Sequence, residues 1–458
     1  MSNFILKTLE TRELKLNTIR LRGFYGGKLR KGSGGGGSGD GFPQLPGDVT
    51  RWHFGGLTNE MMAAMDDPRI EDADHKGRFL SFKNFAWKEG SGISDIYPGA
   101  LVFDGVDDYG VCDNFPILTK EKGYTVVALR QWITYNQNAI FAIATNASDQ
   151  SFNGAFTFEY LQKGLERTIS YGSTQISLSY SKSPFSWQTT SKYNGVDINN
   201  GNKEATNSLA LGRAYPQRNE SANFAIWELV FLDHDATEEE LAKIKDYFVK
   251  TYPWLFLDQA WTVTGKTNED EDRATIANIT GNGNDLVLSN FGFIEGSGYN
   301  EEGEYAGYLV TDGVDDKIAS SAFEMGEDFT VVGEWKLLPV SSYNYAGIVK
   351  SNNLYVYNNA SIGLAVFIRS GGSVANKVEG IKSLKAICSD GRVYGEDWTE
   401  YKLNPGTTVG ANTALNLGFN GSNFTQMAFK NLGIYNNQIL SKNDCIKAYN
   451  YLQTLKAK

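Results

Sequence analysis

Phe103-Asp-Gly-Val-Asp-Asp-Tyr-Gly-Val111 and Leu309-Val-Thr-Asp-Gly-Val-Asp-Asp-Lys-Ile-Ala319 decide the fold. In both, apolar and polar residues alternate on either side of an Asp-Gly pair. Alternation with period two marks a strand with one face buried. Asp-Gly supplies a tight turn, because glycine takes positive φ at little cost and aspartate bonds back to nearby amides. Each stretch therefore predicts strand, turn, strand.

Reading outward from these two turns shows that the whole neighbourhood is repeated. Phe82-Lys-Asn-Phe-Ala-Trp-Lys-Glu-Gly-Ser-Gly92 matches Leu288-Ser-Asn-Phe-Gly-Phe-Ile-Glu-Gly-Ser-Gly298. Tyr124-Thr-Val-Val127 matches Phe329-Thr-Val-Val332, and Leu209-Ala-Leu-Gly212 matches Leu415-Asn-Leu-Gly418. Thr237-Glu-Glu-Glu-Leu241 matches Ser441-Lys-Asn-Asp-Cys445. With the two turns included, the numbering offsets are 206, 208, 205, 206 and 204. Five matches in one order at nearly constant spacing define a duplicated unit. Between the anchors the period is mostly two. Late in each copy a strand precedes a short helix, for which Thr237 and Ser441 are the predicted N-caps.

Composition agrees with an all-β reading. The chain has 458 residues, 41% of them hydrophobic, with 49 glycines, 24 tyrosines and 26 phenylalanines. That is enough apolar matter for two cores, in proportions that favour strands and turns over long helices. The net charge of −10 is unevenly spread. Residues 1–31 hold eight Lys and Arg against two Glu, giving +6, so the other 427 residues carry −16. Lys31-Gly-Ser-Gly-Gly-Gly-Gly-Ser-Gly-Asp-Gly41 then reads as a flexible linker. The expected domains are a basic arm (1–31), a Gly-rich linker (32–51), and sandwiches over 52–256 and 259–458.

Cys112, Cys388 and Cys445 show no CxxC spacing and are expected to be three separate free thiols. Charges interrupt the apolar residues at the N-terminus, so no secretory leader is expected. No run approaches the length of a membrane span. An acidic body argues against nucleic-acid binding by the main body of the protein.

Phe103-Asp-Gly-Val-Asp-Asp-Tyr-Gly-Val111 followed by Tyr124-Thr-Val-Val127, with Trp132 and Trp335 shortly after the two Thr-Val-Val runs, resembles the laminin-G-like branch of the concanavalin A-like lectin/glucanase superfamily. The late strand and short helix are similar to that branch too. The resemblance covers about 400 residues in two copies. It implies two tandem jelly-roll β-sandwiches, each with a short C-terminal helix. The second copy lacks the aromatic of Phe103-Asp-Gly, so the two copies need not share a ligand. Members of this superfamily sometimes hold calcium. Asp104, Asp107 and Asp108, with Asp312, Asp315 and Asp316, are the candidate ligands, set against a purely structural turn. No other cofactor is expected.

Glucanases of this superfamily carry Glu-x-Asp-x-Glu on one strand, which puts acid and nucleophile on one face. That spacing is absent here, as are GxSxG and a phosphate-binding loop. His53, His75 and His234 fall at no metal or triad spacing. The chain is therefore expected to be no enzyme, although carboxylates from distant strands would escape this test. Trp187, Tyr193, Trp398 and Tyr401 lie in polar surroundings and are the candidate sugar-stacking aromatics.

An arm, a linker and two display modules resemble the head and tail fibres of tailed phages, crAss-like phages among them. The expected function is adhesion or display on a virion, with host-surface glycans as ligands. Arg20, Arg22, Lys28, Arg30 and Lys31 are the candidate anchor to capsid or tail proteins. Leu14, Leu16, Ile19 and Leu21 alternate like a strand seeking a partner, in another protein or another copy, so a homo-oligomer is expected. A disordered tail is the alternative. The competing function is a bacterial surface or secreted glycan-binding protein, and the third is a divergent glycoside hydrolase.

Overall fold

The computed structural model describes residues 40–116, 125–134, 140–145, 156–160, 165–170, 177–180, 185–189, 192–193, 196–197, 209–213, 221–234, 236–338, 346–359, 363–369, 376–378, 383–409 and 413–457. The chain is all-β and divides into two units, Met1–Thr251 and Tyr252–Lys458. Each is a sandwich of two large sheets whose paired strands all run antiparallel, and the first unit adds a two-stranded ribbon, Lys192–Tyr193 with Val196–Asp197.

In the first unit, one sheet orders Phe185–Thr189, Thr125–Thr134, Asn223–Leu232, Leu101–Asp104 and Gly92–Ile93, with Val49–His53 also on Asn223–Leu232. The second sheet runs from Ser177–Tyr180 through Ile140–Thr145, Leu209–Leu211 and Tyr109–Cys112 to Arg69–Glu71. The second unit repeats the plan. Its first sheet centres on Met427–Asn436 and Phe329–Leu337. Its second orders Thr275–Ile276, Leu286–Ser289, Lys317–Phe323, Thr413–Leu417, Ala346–Lys350, Leu354–Asn359, Gly363–Ile368 and Asn376–Val378. Alternate side chains of facing sheets form the cores. Trp52, Phe103, Phe224 and Leu229 fill one; Trp261, Leu309, Phe429 and Leu432 fill the other. The two Asp-Gly turns join the same pair of strands in each unit, passing the chain from first sheet to second.

Among the described residues three α-helices accompany the sheets: α1 (Asn59–Ala63), α2 (Glu238–Thr251) and α3 (Lys442–Gln453). None is long and apolar enough to cross a membrane. The caps are those the sequence predicts. Glu240 accepts from the Thr237 amide at 2.7 Å, and the Glu240 amide donates to Thr237 Oγ1 at 3.3 Å. Ser441 Oγ accepts from the Asp444 amide at 3.2 Å. These contacts satisfy first-turn amides that have no partner within the helix. α3 lies on the outer face of the first sheet, with Leu452 against Gly433.

Two boundaries differ from the sequence reading. The stretch expected as linker already contains strand Val49–His53, and Phe42 is buried edge-on to Tyr247. Arg51 draws Asp40 in as well. Residues 252–256 belong with the second unit: Tyr435 Oη donates to the Trp254 carbonyl at 2.7 Å, and Lys447 of α3 lies over the Trp254 ring.

Candidate functional site

The Asp-Gly turns are built almost identically. Asp104 Oδ1 accepts from the amides of Val106, Asp107 and Asp108 at 2.7, 3.2 and 3.4 Å; Asp312 does the same for Val314, Asp315 and Asp316. Asp108 is fully buried. It accepts from the Asp104 amide at 2.9 Å and from Ser91 Oγ at 3.0 Å, and Asp316 repeats both bonds with Asp312 and Ser297. Burial pushes Asp108 up to about 7 and Asp316 up to about 6.

Each triad of carboxylates lies within 4.8 Å, so the turn is the place where an ion would sit. The donor set does not suit calcium. That ion takes six to eight oxygens, whereas here the two inner aspartates are committed to backbone amides and a serine. The bonds that each turn makes within itself are those of a structural turn. The turn tips leave Val106 and Val314 69% and 72% exposed.

Of the sugar-stacking candidates, Trp398 and Tyr401 do not come together. Trp187 and Tyr193 lie on strands Phe185–Thr189 and Lys192–Tyr193, and their side chains fall outside the described residues. Trp398 has φ +63° in a hairpin and packs edge-on to Tyr449 of α3, with Lys385 over its ring. Tyr401, three residues on, turns the other way and packs on the core. Arg20, Arg22, Lys28, Arg30 and Lys31 also lie outside the described residues.

An aromatic surface that the sequence did not single out lies on the second sheet of the second unit. Leu354, Val356, Leu364, Val366 and Ile368 point into the core, so Tyr355, Tyr357 and Phe367 occupy the opposite face. Tyr355 is paired directly with Phe367 across the strands. The three rings are nearly parallel, with interplanar angles of 29°, 16° and 19° and centroids 5.0–6.3 Å apart. Asn420 Nδ2 donates to Tyr355 Oη at 3.1 Å. By backbone register the row continues from Tyr355 through Lys350, Asn416 and Ala319 to Val287, which is exposed. Whereas α3 covers the first sheet, this face carries the partly exposed rings of Tyr355 and Phe367 beside amides, with Tyr357 buried against them.

The histidines are tied locally: His53 to Glu228, His75 to Glu71, and His234 between Asp233 and Glu240. A separate polar cluster surrounds Glu334, which accepts from Tyr308 Oη and, at 3.1 Å, from Tyr449 Oη, with Lys430 at 3.6 Å. Burial opposes the charge on Glu334, but these hydroxyls and lysines hold its pKa below the ordinary value.

Neither a family model nor a curated protein matches the sequence. Among solved structures, Trypanosoma rangeli sialidase in complex with 2,3-difluorosialic acid is 10% identical. The match covers 44% of this chain and 32% of that one, at a TM-score of 0.31. Domain 4 of AbnA, a GH43 extracellular arabinanase from Geobacillus stearothermophilus, in complex with arabinotriose, is 14% identical over 42% of this chain and 98% of that one, at 0.28. A structure of botulinum neurotoxin type C, whose cell entry depends on interaction with two ganglioside molecules, is 10% identical over 78% and 94%, at 0.32. The chain thus spans about a third of the sialidase, and scores this low assign it no activity.

One expectation is corrected here. The missing Glu-x-Asp-x-Glu spacing does not carry the reading that the chain is no enzyme, and that reading is withdrawn. The physical reason is that the spacing test examines carboxylates on a single strand. The fold instead gathers ionisable groups from separate elements, as Tyr308, Glu334 and Tyr449 show.

Proposed function

We propose that the chain is a saccharide-binding adhesion protein, with the outer face of the second sheet of the second unit as its ligand face. The observation that carries this reading is the near-parallel Tyr355–Tyr357–Phe367 stack, in which Tyr355 and Phe367 are partly exposed beside Asn420 and Tyr357 is buried. The C–H faces of a pyranose ring are apolar and pack on aromatic faces, while amides bond the hydroxyls on its edge. A panel of neutral and acidic oligosaccharides titrated calorimetrically is expected to yield a ligand. Tyr355→Ala and Phe367→Ala should each weaken it roughly five- to tenfold, at about 1–1.5 kcal/mol per lost ring contact. Trp398→Ala, on the other sheet, should leave affinity unchanged. If no sugar binds, or if the two ring variants bind like the parent chain, this face is not the site.

The organisation of basic arm, Gly-rich linker and tandem sandwiches further supports presentation on a phage virion, with the arm docked on an acidic capsid or tail surface. The chain should then be found by mass spectrometry in purified particles and be lost from them on deleting residues 1–39. A truncated protein incorporated at normal copy number would remove the arm as anchor.

A further inference from the structure

The three cysteines are not three separate thiols. Cys388 and Cys445 are 57 residues apart in sequence, yet their sulfurs lie 4.0 Å apart, both fully buried. Cys388 ends strand Leu384–Cys388 and Cys445 lies in the second turn of α3. Cys112 is in the other unit.

The surroundings hold this pair in register from both sides. Thr330, beside Cys388 in the sheet, accepts from the Leu440 amide at 2.9 Å and donates to the Gln438 carbonyl at 3.0 Å. Arg392 donates to the Leu440 carbonyl at 3.0 Å. The segment entering α3 is therefore fastened to the sheet before any covalent bond forms. The Cys445 thiol and, against the cost of burial, the Arg392 guanidinium favour the thiolate of Cys388.

We propose that Cys388 and Cys445 form a disulfide when the protein meets a small-molecule disulfide, closing a covalent latch between the C-terminal helix and the first sheet of the second unit. The Cys388 thiolate attacks the small disulfide and expels one thiol. Cys445 loses its proton and attacks the mixed disulfide at the Cys388 sulfur, releasing the second thiol. Both cysteine sulfurs are oxidised and the small disulfide is reduced to two thiols. Chains made in a reducing cytosol and then released or displayed outside it would acquire the bond there.

The test incubates the full chain with hydroxyethyl disulfide and 2-mercaptoethanol. The time is set by a parallel sample in which iodoacetamide has reacted with both thiols, so that access does not limit the result. Peptide mapping should find the 388–445 link as the dominant product in native buffer, and all three pairings of the cysteines in urea. Cys445→Ser should convert Cys388 to a mixed disulfide. The linked protein should melt higher by about 4 °C or more, reversibly with reductant, as expected for closing a loop of this length. Mixed disulfides or unreacted thiols in the native chain would overturn the proposal. So would a native link no more abundant than in urea, or a cross-link that leaves the melting temperature unchanged or lower.

Discussion

Replacing Glu228 by alanine is expected to destabilise the first unit by about 3–5 kcal/mol, because it strands a buried guanidinium. Arg51 and Glu228 are both fully buried, and Arg51 Nη1 donates to Glu228 Oε1 at 2.7 Å. Tyr247 of α2 accepts from the same nitrogen at 3.1 Å and donates to Glu228 Oε2 at 3.4 Å; His53 meets that oxygen at 3.2 Å. Without Glu228, Arg51 keeps Asp40 and the Phe42 ring 4.3 Å away, both at the edge of the unit. The second unit shows that the fold does not require the pair. At the matching register positions Ala260 stands for Arg51 and Asn431 for Glu228. Arg51→Ala together with Glu228→Asn should therefore cost much less than Glu228→Ala alone, since it removes both charges. Differential scanning calorimetry, with hydrogen exchange to assign the change to residues 40–251, would measure this. A melting shift for Glu228→Ala below about 2 °C would show that the buried charge is not stranded.

How much of this the sequence disclosed follows the range of each interaction. The Asp-Gly turns, the Glu240 capping box and the Ser441 cap join residues within four positions, and their residue types state the bond directly. The duplication was legible because it repeats such local signals. The Arg51–Glu228 pair, the Cys388–Cys445 contact and the Tyr355–Phe367 pairing are not local. Each depends on strand register or helix placement that periodicity leaves open. Glu228 did leave a trace, as a lone charge inside Ala225-Ile-Trp-Glu-Leu-Val-Phe-Leu232.

Gly298→Ala is expected to destabilise the second unit by about 2–4 kcal/mol, and Gly92→Ala the first unit by a similar amount. These glycines end the repeated Glu-Gly-Ser-Gly. A Cβ on Gly298 would lie 2.5 Å from Asn268 Oδ1, 2.8 Å from Phe293 Cα and 2.9 Å from the Ile294 nitrogen. On Gly92 it would lie 2.3 Å from Asn59 Oδ1 and 3.0 Å from both Trp87 Cα and the Lys88 nitrogen. The asparagines are there for a reason. Asn268 donates to the Tyr299 carbonyl at 2.7 Å and accepts from its amide at 2.8 Å; Asn59 does both for Ile93 at 2.8 and 2.7 Å. Each side chain thus supplies the missing neighbour of a sheet-edge residue, and glycine is the space it needs. Asn268→Ala alone leaves those backbone groups without their partner, at a cost of about 1–3 kcal/mol. In the double variant Gly298→Ala/Asn268→Ala the amide clash is gone but the backbone contacts remain. Its cost should therefore fall below the sum of the singles while staying above that of Asn268→Ala. Denaturant unfolding of the four proteins measures the cycle. A Gly298→Ala chain within about 0.5 kcal/mol of the parent would mean that the loop yields freely and that glycine is not required there.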